Sequence, residues 1–321
     1  MSESVSPVEE LNAVRVERET ALTVGVFDGV HRGHLHVLET LRRRASERGL
    51  ASGVITLHPH PALVLNPSTP IVYLTTIEER VALLRASGVD LVVPLTFTLE
   101  LARYSARDFV SLLVERLRMR FLLIGPDFAL GRGREGGPEL LSQLASEMGF
   151  GLEKVGPFVE RGQVISSSTV RAALQEGDLE AVARLLGRPF SLHGPVVHGV
   201  ERGKVMGFPT ANIGVGSGMA LPPFGVYVTR AHIGATICDS VTNIDLSGQW
   251  VAVARRPTFD NGERTVEVYI MDFDGDLYGA EVRIDVLKRL RSEVRFASVD
   301  ELADQIRKDV ADARAYLASH R

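Results

Sequence analysis

The alternation of apolar runs with segments of helical periodicity in the first half of the chain is the feature that most constrains its fold. Residues 21–26 form an apolar run typical of a buried strand, and a glycine-bearing turn follows. Apolar residues then recur at helical spacing over 35–45, and a second apolar run spans 51–57. A strand, a helix and a strand within about 40 residues make a βαβ unit, so the sequence predicts a parallel sheet.

The same alternation continues as far as residue 148. The sequence predicts helices at 77–87, 106–118 and 138–148 and strands at 91–95 and 121–125. Doubly wound sheets bind ligands at the carboxyl ends of their strands. We therefore expect the turn after Val26 and the turn after Gly125 to lie where a nucleotide binds.

The pattern changes near residues 186–194, and the segment 187–194 is interpreted as a linker. Short strand-like runs separated by Gly and Pro follow at 195–198, 226–232, 250–254, 264–273 and 281–286. They predict a small β-barrel. We place the domain boundary between residues 187 and 188, which gives domains 1–187 and 188–321.

The two ends of the chain carry weaker signals. Residues 1–19 are polar and are interpreted as a loose leader or a first edge strand. A helix is predicted at the end of the chain, where Ser298 is a candidate N-cap and Glu301 completes a capping box. Its predicted apolar face consists of Leu302, Ile306, Val310 and Leu317.

Charge and cysteine content exclude several classes of protein. The net charge of −4, from 36 basic and 40 acidic side chains, is too mild for a nucleic-acid or membrane-surface binder. Cys238 is the only cysteine, so no intramolecular disulfide forms and a Cys-based zinc site is excluded. No stretch approaches the ~18 apolar residues of a transmembrane helix. We expect a cytoplasmic protein without nucleic-acid or membrane partners, and the sequence leaves a homo-oligomer open.

The segment Gly25–His34 lies between a predicted strand and a predicted helix. His31 and His34 are three residues apart, so at a helix start they can face the same side. A helix N-terminus suits phosphate, and two imidazoles there can donate hydrogen bonds to charge on an α-phosphate. Gly33 permits close approach of the nucleotide backbone. The alternative is two surface histidines, because a four-residue motif is common by chance.

A second polar segment, Ile165–Arg171, precedes a predicted helix near Val170. Ser166 and Ser167 can cap this helix or bind phosphate oxygens, and Arg171 can neutralise a triphosphate. Taken alone, a Ser/Thr run before a helix is usually an N-cap.

The segment 198–212 carries the candidate nucleotide site of the second half. Its glycines at 199, 203 and 207 make a loop whose N–H groups can wrap a phosphate chain, and Lys204 adds positive charge. No P-loop motif occurs. Thr210 and Asn212 are oxygen-bearing residues on one side of an extended segment, which suits Mg²⁺ together with phosphates and waters.

Glu267 is the candidate general base of the second half. Strand alternation places it with Thr265 and Tyr269, on the face opposite to the apolar residues Val266 and Val268. If that face lines a ligand cleft, Glu267 can accept a proton from an attacking hydroxyl. The alternative is an exposed glutamate on a barrel strand.

Residues 20–185 resemble the FMN adenylyltransferase module of bacterial FAD synthetases. That module belongs to the nucleotidyltransferase superfamily that is named for its His-x-Gly-His motif. The matching stretches are 25–34, 56–61, 74–80, 88–90, 125–134 and 166–171. The resemblance implies that His31 and His34 contact the ATP phosphates, that Ser166, Ser167 and Arg171 assist, and that Asp127 lies near the flavin. Gly25, Phe27, Asp28 and Gly33 are assigned to the same nucleotide-binding segment.

Residues 188–321 resemble the riboflavin kinase module. The matching stretches are 207–212, 221–227, 256–259, the Glu267 strand, 276–279, 290–293 and Phe296. The resemblance implies a six-stranded type of β-barrel with a C-terminal helix, Mg-ATP bound by Thr210 and Asn212, and Glu267 as catalytic base. Gly203, Lys204 and Gly207 are assigned to the same ATP site. The fused order implies that riboflavin is converted with ATP and Mg²⁺ to FMN, and FMN to FAD.

Departures from the family pattern cluster on the flavin side. Leu57 and Leu130 stand where the family has Phe, Ser168 stands for Thr, and Ala252 and Ala254 replace an Asn-x-Gly. Losing aromatic rings weakens stacking on a flavin. Two alternatives therefore stay open: a specialised paralogue that uses a flavin analogue or another nucleotide such as CTP, and a non-catalytic regulator that binds flavin or nucleotide.

Overall fold

Five parallel strands in the order β3-β2-β1-β4-β5 form the sheet of the first half of the chain. A computed structural model describes residues 6–198, 208–246, 264–294 and 296–320. The strands are β1 (Thr20–Gly25), β2 (Ala51–His58), β3 (Leu91–Thr96), β4 (Met119–Ile124) and β5 (Gly151–Lys154). The chain runs outward from β1 to β3 and then returns to β4 beside β1, so the topological switch point lies between β1 and β4.

Helices cover both faces of this sheet. They are α1 (Pro7–Asn12), α2 (Arg32–Glu47), α3 (Pro61–Leu65), α4 (Ile77–Ala86), α5 (Ala106–Arg116) and α6 (Pro138–Met148), and a short hairpin of β6 (Val159–Glu160) and β7 (Gln163–Val164) follows. Phe109 of α5 and Leu141 of α6 belong to the apolar cluster on one face. Leu38 of α2 and Leu84 of α4 belong to the cluster on the other. The predicted doubly wound α/β fold is confirmed.

Six antiparallel strands close into a barrel in the second half of the chain, in the order β10-β11-β12-β9-β8-β13. They are β8 (Phe190–Val197), β9 (Thr210–Ile213), β10 (Gly225–Ile233), β11 (Thr236–Leu246), β12 (Arg264–Ile270) and β13 (Glu281–Arg291). The helices are α7 (Ser167–Glu176), α8 (Leu179–Leu186) and α9 (Val299–Ser319). Leu317 of α9 packs against Val226 and Val241 on the barrel. The predicted barrel with a C-terminal helix is confirmed.

The structure corrects three local predictions. Residues 7–12 form α1 instead of a loose leader or an edge strand, because Ser6 and Glu9 make a capping box and Leu11 is fully buried. The predicted linker 187–194 contains the start of β8, since Phe190 and Leu192 are buried in the barrel. α7 begins at Ser167, three residues before the predicted Val170.

Ser298 caps the closing helix as predicted, since the Glu301 N–H donates to its hydroxyl at 3.2 Å. The predicted capping box is only half formed, because the Glu301 carboxylate accepts from the N–H of Ala297, the residue before the N-cap, at 3.0 Å. The predicted strand at 250–254 lies outside the described residues.

Contacts divide the chain into two compact units, residues 1–167 and 168–321. The predicted boundary between the two functional modules, at 187/188, lies just after α8 and stays a prediction, because a catalytic module and a compact unit need not share a boundary. In the part of the chain that is described, no helix has the length and apolar character needed to span a membrane.

Candidate active sites

The turn between β1 and α2 has an unusual backbone. Phe27, Gly29 and Val30 have positive φ angles of 54°, 80° and 37°. Positive φ is rare outside glycine and is an outlier for a β-branched residue such as valine. Such strain costs of the order of 1–3 kcal/mol per residue and persists only where the surroundings hold it.

Asp28 holds this turn from within the protein. Its carboxylate, 2% exposed, accepts the N–H groups of Leu74 at 3.0 Å and of Thr75 at 3.2 Å. Arg80, which is fully buried, lies 3.5 Å from the same carboxylate. The Thr75 hydroxyl in turn accepts the N–H of Gly29 at 3.1 Å. The structure thus uses the Asp28 carboxylate to fasten the turn to the 74–80 segment.

His31 and His34 lie against each other at the start of α2. Their rings stack with centroids 3.6 Å apart, and the Phe27 ring lies 5.0 Å from that of His34. His31 is the N-cap, and its Nδ1 accepts the His34 N–H at 3.3 Å. A neutral His31 therefore carries its proton on Nε2 and can donate from there.

The environment keeps His34 uncharged. Burial lowers the pKa of His34 well below 6.5, and the neighbouring His31 and Arg80 lower it further. The Nδ1 atom of His34 is buried and has no hydrogen-bond partner within the described residues. A buried polar atom without a partner is costly, so this nitrogen suits a ligand group that the protein itself does not supply.

His58 and Arg80 extend this site to the end of β2, and the sequence analysis did not single them out. The Arg80 guanidinium donates to the carbonyl of Val26 at 3.0 Å. Burial and the charge of Arg80 lower the pKa of His58, whose Nδ1 is also buried without a partner among the described residues. For His58 the available signal was its position, because β2 neighbours β1 and polar residues at the carboxyl ends of adjacent parallel strands meet. Arg80 lies in helix α4, so this signal does not apply to it.

Ser166 and Ser167 are brought to the histidine turn. The Ser167 hydroxyl donates to the carbonyl of Asp28 at 2.9 Å. A Cβ atom on Gly33 would lie 2.8 Å from the carbonyl oxygen of Ile165, so the two backbones approach closely. The preceding hairpin is tied to α2, because Glu160 forms an ion pair with Arg32.

The remaining predicted residues of the first site lie on different elements. Gly25 ends β1 and its Cα faces the Phe27 ring, which a Cβ would approach to 3.0 Å. Asp127 is exposed in the turn after β4, where its carbonyl accepts from Arg134 at 2.9 Å. Arg171 lies on α7, four residues after Ser167 and thus one helical turn further along.

In the barrel, the strand register brings Thr210, Asn212 and Glu267 to one face. Asn212 of β9 is directly opposite Glu267 of β12, and Thr210 is opposite Tyr269. Opposed residues in an antiparallel pair point to the same side, with Cβ atoms about 4.5–5.5 Å apart. The Phe208 ring packs edge-on against Tyr269 at 5.3 Å. The predicted alternation of β12 is confirmed, since Val266 and Val268 are buried on the other face.

Two polar residues of β11 on this face were missed by the sequence analysis. Asn243 is opposite Glu267 and is 5% exposed, and Asp245 is opposite Thr265 and is 1% exposed. The sequence signal was weak, because residues 241–245 are Val-Thr-Asn-Ile-Asp and do not alternate strictly between polar and apolar side chains.

Several predicted residues lie outside the described residues. They are Gly203, Lys204, Gly207, Ala252 and Ala254. Among the residues that are described, no group of three or more His, Cys, Asp or Glu side chains could hold a metal ion. Thr210 and Asn212 are two positions apart on β9 and carry oxygen atoms, the donor type that Mg²⁺ takes in small number while phosphates and waters complete its shell.

Comparison with known proteins gives two consecutive family matches. Residues 14–169 match the family model described as FAD synthetase, and residues 186–317 match the model described as riboflavin kinase.

Whole-chain relatives extend across both matches. A protein from Escherichia coli (strain K12) named bifunctional riboflavin kinase/FMN adenylyltransferase is 38% identical over 92% of both chains. A protein of the same name from Bacillus subtilis (strain 168) is 33% identical over 95% of both chains. A crystal structure from Streptococcus pneumoniae, described as a macrolide-efflux protein, is 28% identical, with a TM-score of 0.82 over 95% of this chain and 96% of the other.

Proposed function

The chain belongs to the family of bifunctional riboflavin kinase/FMN adenylyltransferases, and from that premise we propose how its residues divide the two reactions. It is an enzyme that phosphorylates riboflavin to FMN and transfers the adenylyl group of ATP to FMN, which gives FAD. Relatives with both activities in their names align across nearly the whole chain, and this favours the bifunctional enzyme over the specialised paralogue and the non-catalytic regulator.

For adenylyl transfer, we assign His31 and His34 to the ATP phosphates. An FMN phosphate oxygen attacks the α-phosphorus, and the bond from that phosphorus to the bridging oxygen breaks, which releases pyrophosphate. A neutral imidazole can donate a hydrogen bond to the charge that develops without losing a proton. The low pKa of His34 and its unpartnered buried Nδ1 support this role.

The other residues of this site receive supporting roles in the proposal. Ser166, Ser167 and Arg171 bind phosphate oxygens, and Gly25 and Gly33 let the nucleotide approach the backbone. Phe27 and Asp28 keep the turn in its strained shape, as the hydrogen bonds of the Asp28 carboxylate suggest. Asp127 lies near the flavin, which its exposed place after β4, beside the switch point, supports.

For riboflavin phosphorylation, we assign Glu267 as the general base and Thr210 and Asn212 as the Mg²⁺ ligands. The terminal ribityl hydroxyl attacks the γ-phosphorus, its proton passes to the Glu267 carboxylate, and ADP leaves. Bound Mg²⁺ neutralises charge on the ATP phosphates. Gly203, Lys204 and Gly207 wrap those phosphates in this proposal, and the kinase module begins at residue 188, close to the start of the family match at 186.

The register of β9 and β12 carries the kinase proposal. It places the only carboxylate of the three assigned residues directly opposite Asn212, a proposed metal ligand. A base and a metal-bound phosphate must lie within a few ångströms of one hydroxyl, and cross-strand neighbours about 4.5–5.5 Å apart at Cβ satisfy that need.

The test is a mass-resolved chromatographic assay of the purified protein with Mg²⁺. Separate reactions contain riboflavin with ATP, FMN with ATP, and FMN with CTP. We expect FMN and FAD from the first two, loss of riboflavin phosphorylation in Glu267→Gln, and retained FAD formation from FMN in that variant. The matched control is Glu281→Gln, an exposed glutamate on β13, which keeps both activities.

Three outcomes contradict parts of the proposal. Riboflavin phosphorylation that persists in Glu267→Gln removes Glu267 from the mechanism. A product from FMN with CTP, without FAD from FMN with ATP, would show that the nucleotide substrate is CTP and not ATP. No flavin product from the wild-type protein in any reaction refutes the function.

A further inference from the structure

A buried carboxylate lies on the same face of the barrel as Glu267. Asp245 of β11 is 1% exposed, is opposite Thr265, and stands two residues after Asn243, which is opposite Glu267. Burial of a carboxylate is costly unless its oxygens are hydrogen-bonded, so a buried Asp in a strand needs a reason.

Both carboxylate oxygens of Asp245 are used by neighbouring side chains. The Thr265 hydroxyl donates to Oδ1 at 2.6 Å, and the Asn243 amide nitrogen donates to Oδ2 at 3.0 Å. The described residues supply no Lys or Arg ion pair to this carboxylate, and burial raises its pKa despite the two hydrogen bonds. Its oxygens are therefore engaged with the protein, and Asp245 is placed to orient other groups.

The hydrogen bond to Asp245 fixes which way the Asn243 amide faces. An ionised carboxylate only accepts hydrogen bonds, so Asn243 must turn its Nδ2 toward Asp245. Because the amide is planar, its Oδ1 then lies on the other side of Cγ, away from Asp245. Glu267 is the cross-strand neighbour of Asn243, and Asn212 follows on the next strand.

We propose that Asp245 is a positioning residue of the kinase reaction, which fixes the amide of Asn243 so that a hydrogen-bond acceptor is presented beside Glu267 to a hydroxyl of the riboflavin side chain. The inference rests on the proposed role of Glu267. The ribityl chain has several adjacent hydroxyls, and an acceptor next to the base binds one of them while the terminal hydroxyl reacts. Asn243 is then a specificity residue for the polyol.

The test uses the full-length protein and a double-mutant cycle. Asp245→Asn keeps the shape but can donate as well as accept, so it no longer dictates the orientation of the Asn243 amide. We expect Asp245→Asn and Asn243→Ala each to lower kcat/KM for riboflavin about tenfold, with KM for ATP within about twofold of wild type. The double variant should be no worse than Asn243→Ala, because the two residues act as one unit.

Asp285→Asn is the matched control. Asp285, like Asp245, accepts two hydrogen bonds from neighbouring side chains, here Ser191 at 2.9 Å and His232 at 2.7 Å. It lies on β13, three strands from β12 in either direction around the barrel. The substitution Asp285→Asn is expected to lower thermal stability and to leave kcat/KM for riboflavin within about twofold of wild type.

Each outcome decides the inference. Wild-type kcat/KM in Asp245→Asn, additive losses in the double variant, or an equal loss in Asp285→Asn overturns it. If Asp245→Asn does not fold, Asn243→Ala alone is decisive, because an unchanged kcat/KM for riboflavin in that variant also overturns it. Riboflavin phosphorylation that persists in Glu267→Gln refutes the base assignment instead, so the two failures are distinguishable.

Discussion

Replacing Gly33 with alanine should separate the two activities of the enzyme. Gly33 is the second residue of α2, between His31 and His34. An added Cβ would lie 2.8 Å from the carbonyl oxygen of Ile165 and 3.1 Å from the His31 ring. Neither neighbour is the flexible end of a long side chain, so the backbone before Ser166 and the His31 ring must both move.

The size of the effect follows from that contact. Ordinary van der Waals contact begins near 3.4 Å, so the Ile165 carbonyl must shift by about 0.6 Å. Overpacking costs about 1–3 kcal/mol, and the higher helix propensity of alanine offsets up to about 1 kcal/mol. Stability should therefore fall by at most about 3 kcal/mol, whereas misplacement of reacting groups by about 1 Å can cost about 100-fold in rate.

The assay measures both reactions on the same preparation. We expect Gly33→Ala to lower kcat for FAD formation from FMN by about 30- to 100-fold and to leave riboflavin phosphorylation unchanged. Gly156→Ala is the control, because the space around a Cβ at Gly156 is open and its φ is ordinary. Near-wild-type FAD formation in Gly33→Ala would refute the close-approach argument, and equal loss of both activities would show that the substitution acts through global unfolding.

The remaining predictions concern stability. Folding lowers the pKa of His34 below its ordinary value of 6.5. At pH values between the folded and the unfolded pKa, the unfolded chain therefore binds more protons than the folded chain. The free energy of unfolding should consequently fall as pH drops below about 6.5. His34→Gln should flatten that dependence in urea titrations, and an unchanged slope would contradict the neutral assignment. Arg291 and Asp309 form a largely buried ion pair at 2.7 Å, so Arg291→Met should cost about 3 kcal/mol in the unfolding transition of the barrel. Arg307→Met, which breaks an exposed pair with Asp304, should have little effect, and similar losses in both variants would contradict the role of burial.

Much of the α/β fold in the first half of the chain was predictable, because the sequence signals of its strands and helices are local. Parallel strands covered on both faces appear as apolar runs, and β1 and β2 match theirs within one residue at either end. The helix predicted at 138–148 matches α6 at both ends, because Pro138 starts it and Gly149, with a φ of 72°, ends it. Helix α1 was missed because six residues are too few to show a helical period.

The candidate sites were predictable only in part, because their geometry depends on non-local pairing. Alternation alone places Glu267 on one face of a strand, but the identity of its cross-strand neighbour requires the register. The anchoring of Asp28 by residues 46 positions away leaves no mark in the local sequence. Asp245 was overlooked because a carboxylate in a strand is normally expected to face water, whereas this one is buried.

The presence of both catalytic modules in one polypeptide has a consequence for flavin supply in the cell. Each translated chain delivers one site of each kind, so gene expression cannot change the ratio of kinase to adenylyltransferase. The balance between FMN and FAD must then depend on the rate constants of the two sites and on the concentrations of their shared nucleotide and intermediate. Selection on that balance would act on single side chains of one module, with no change in enzyme abundance.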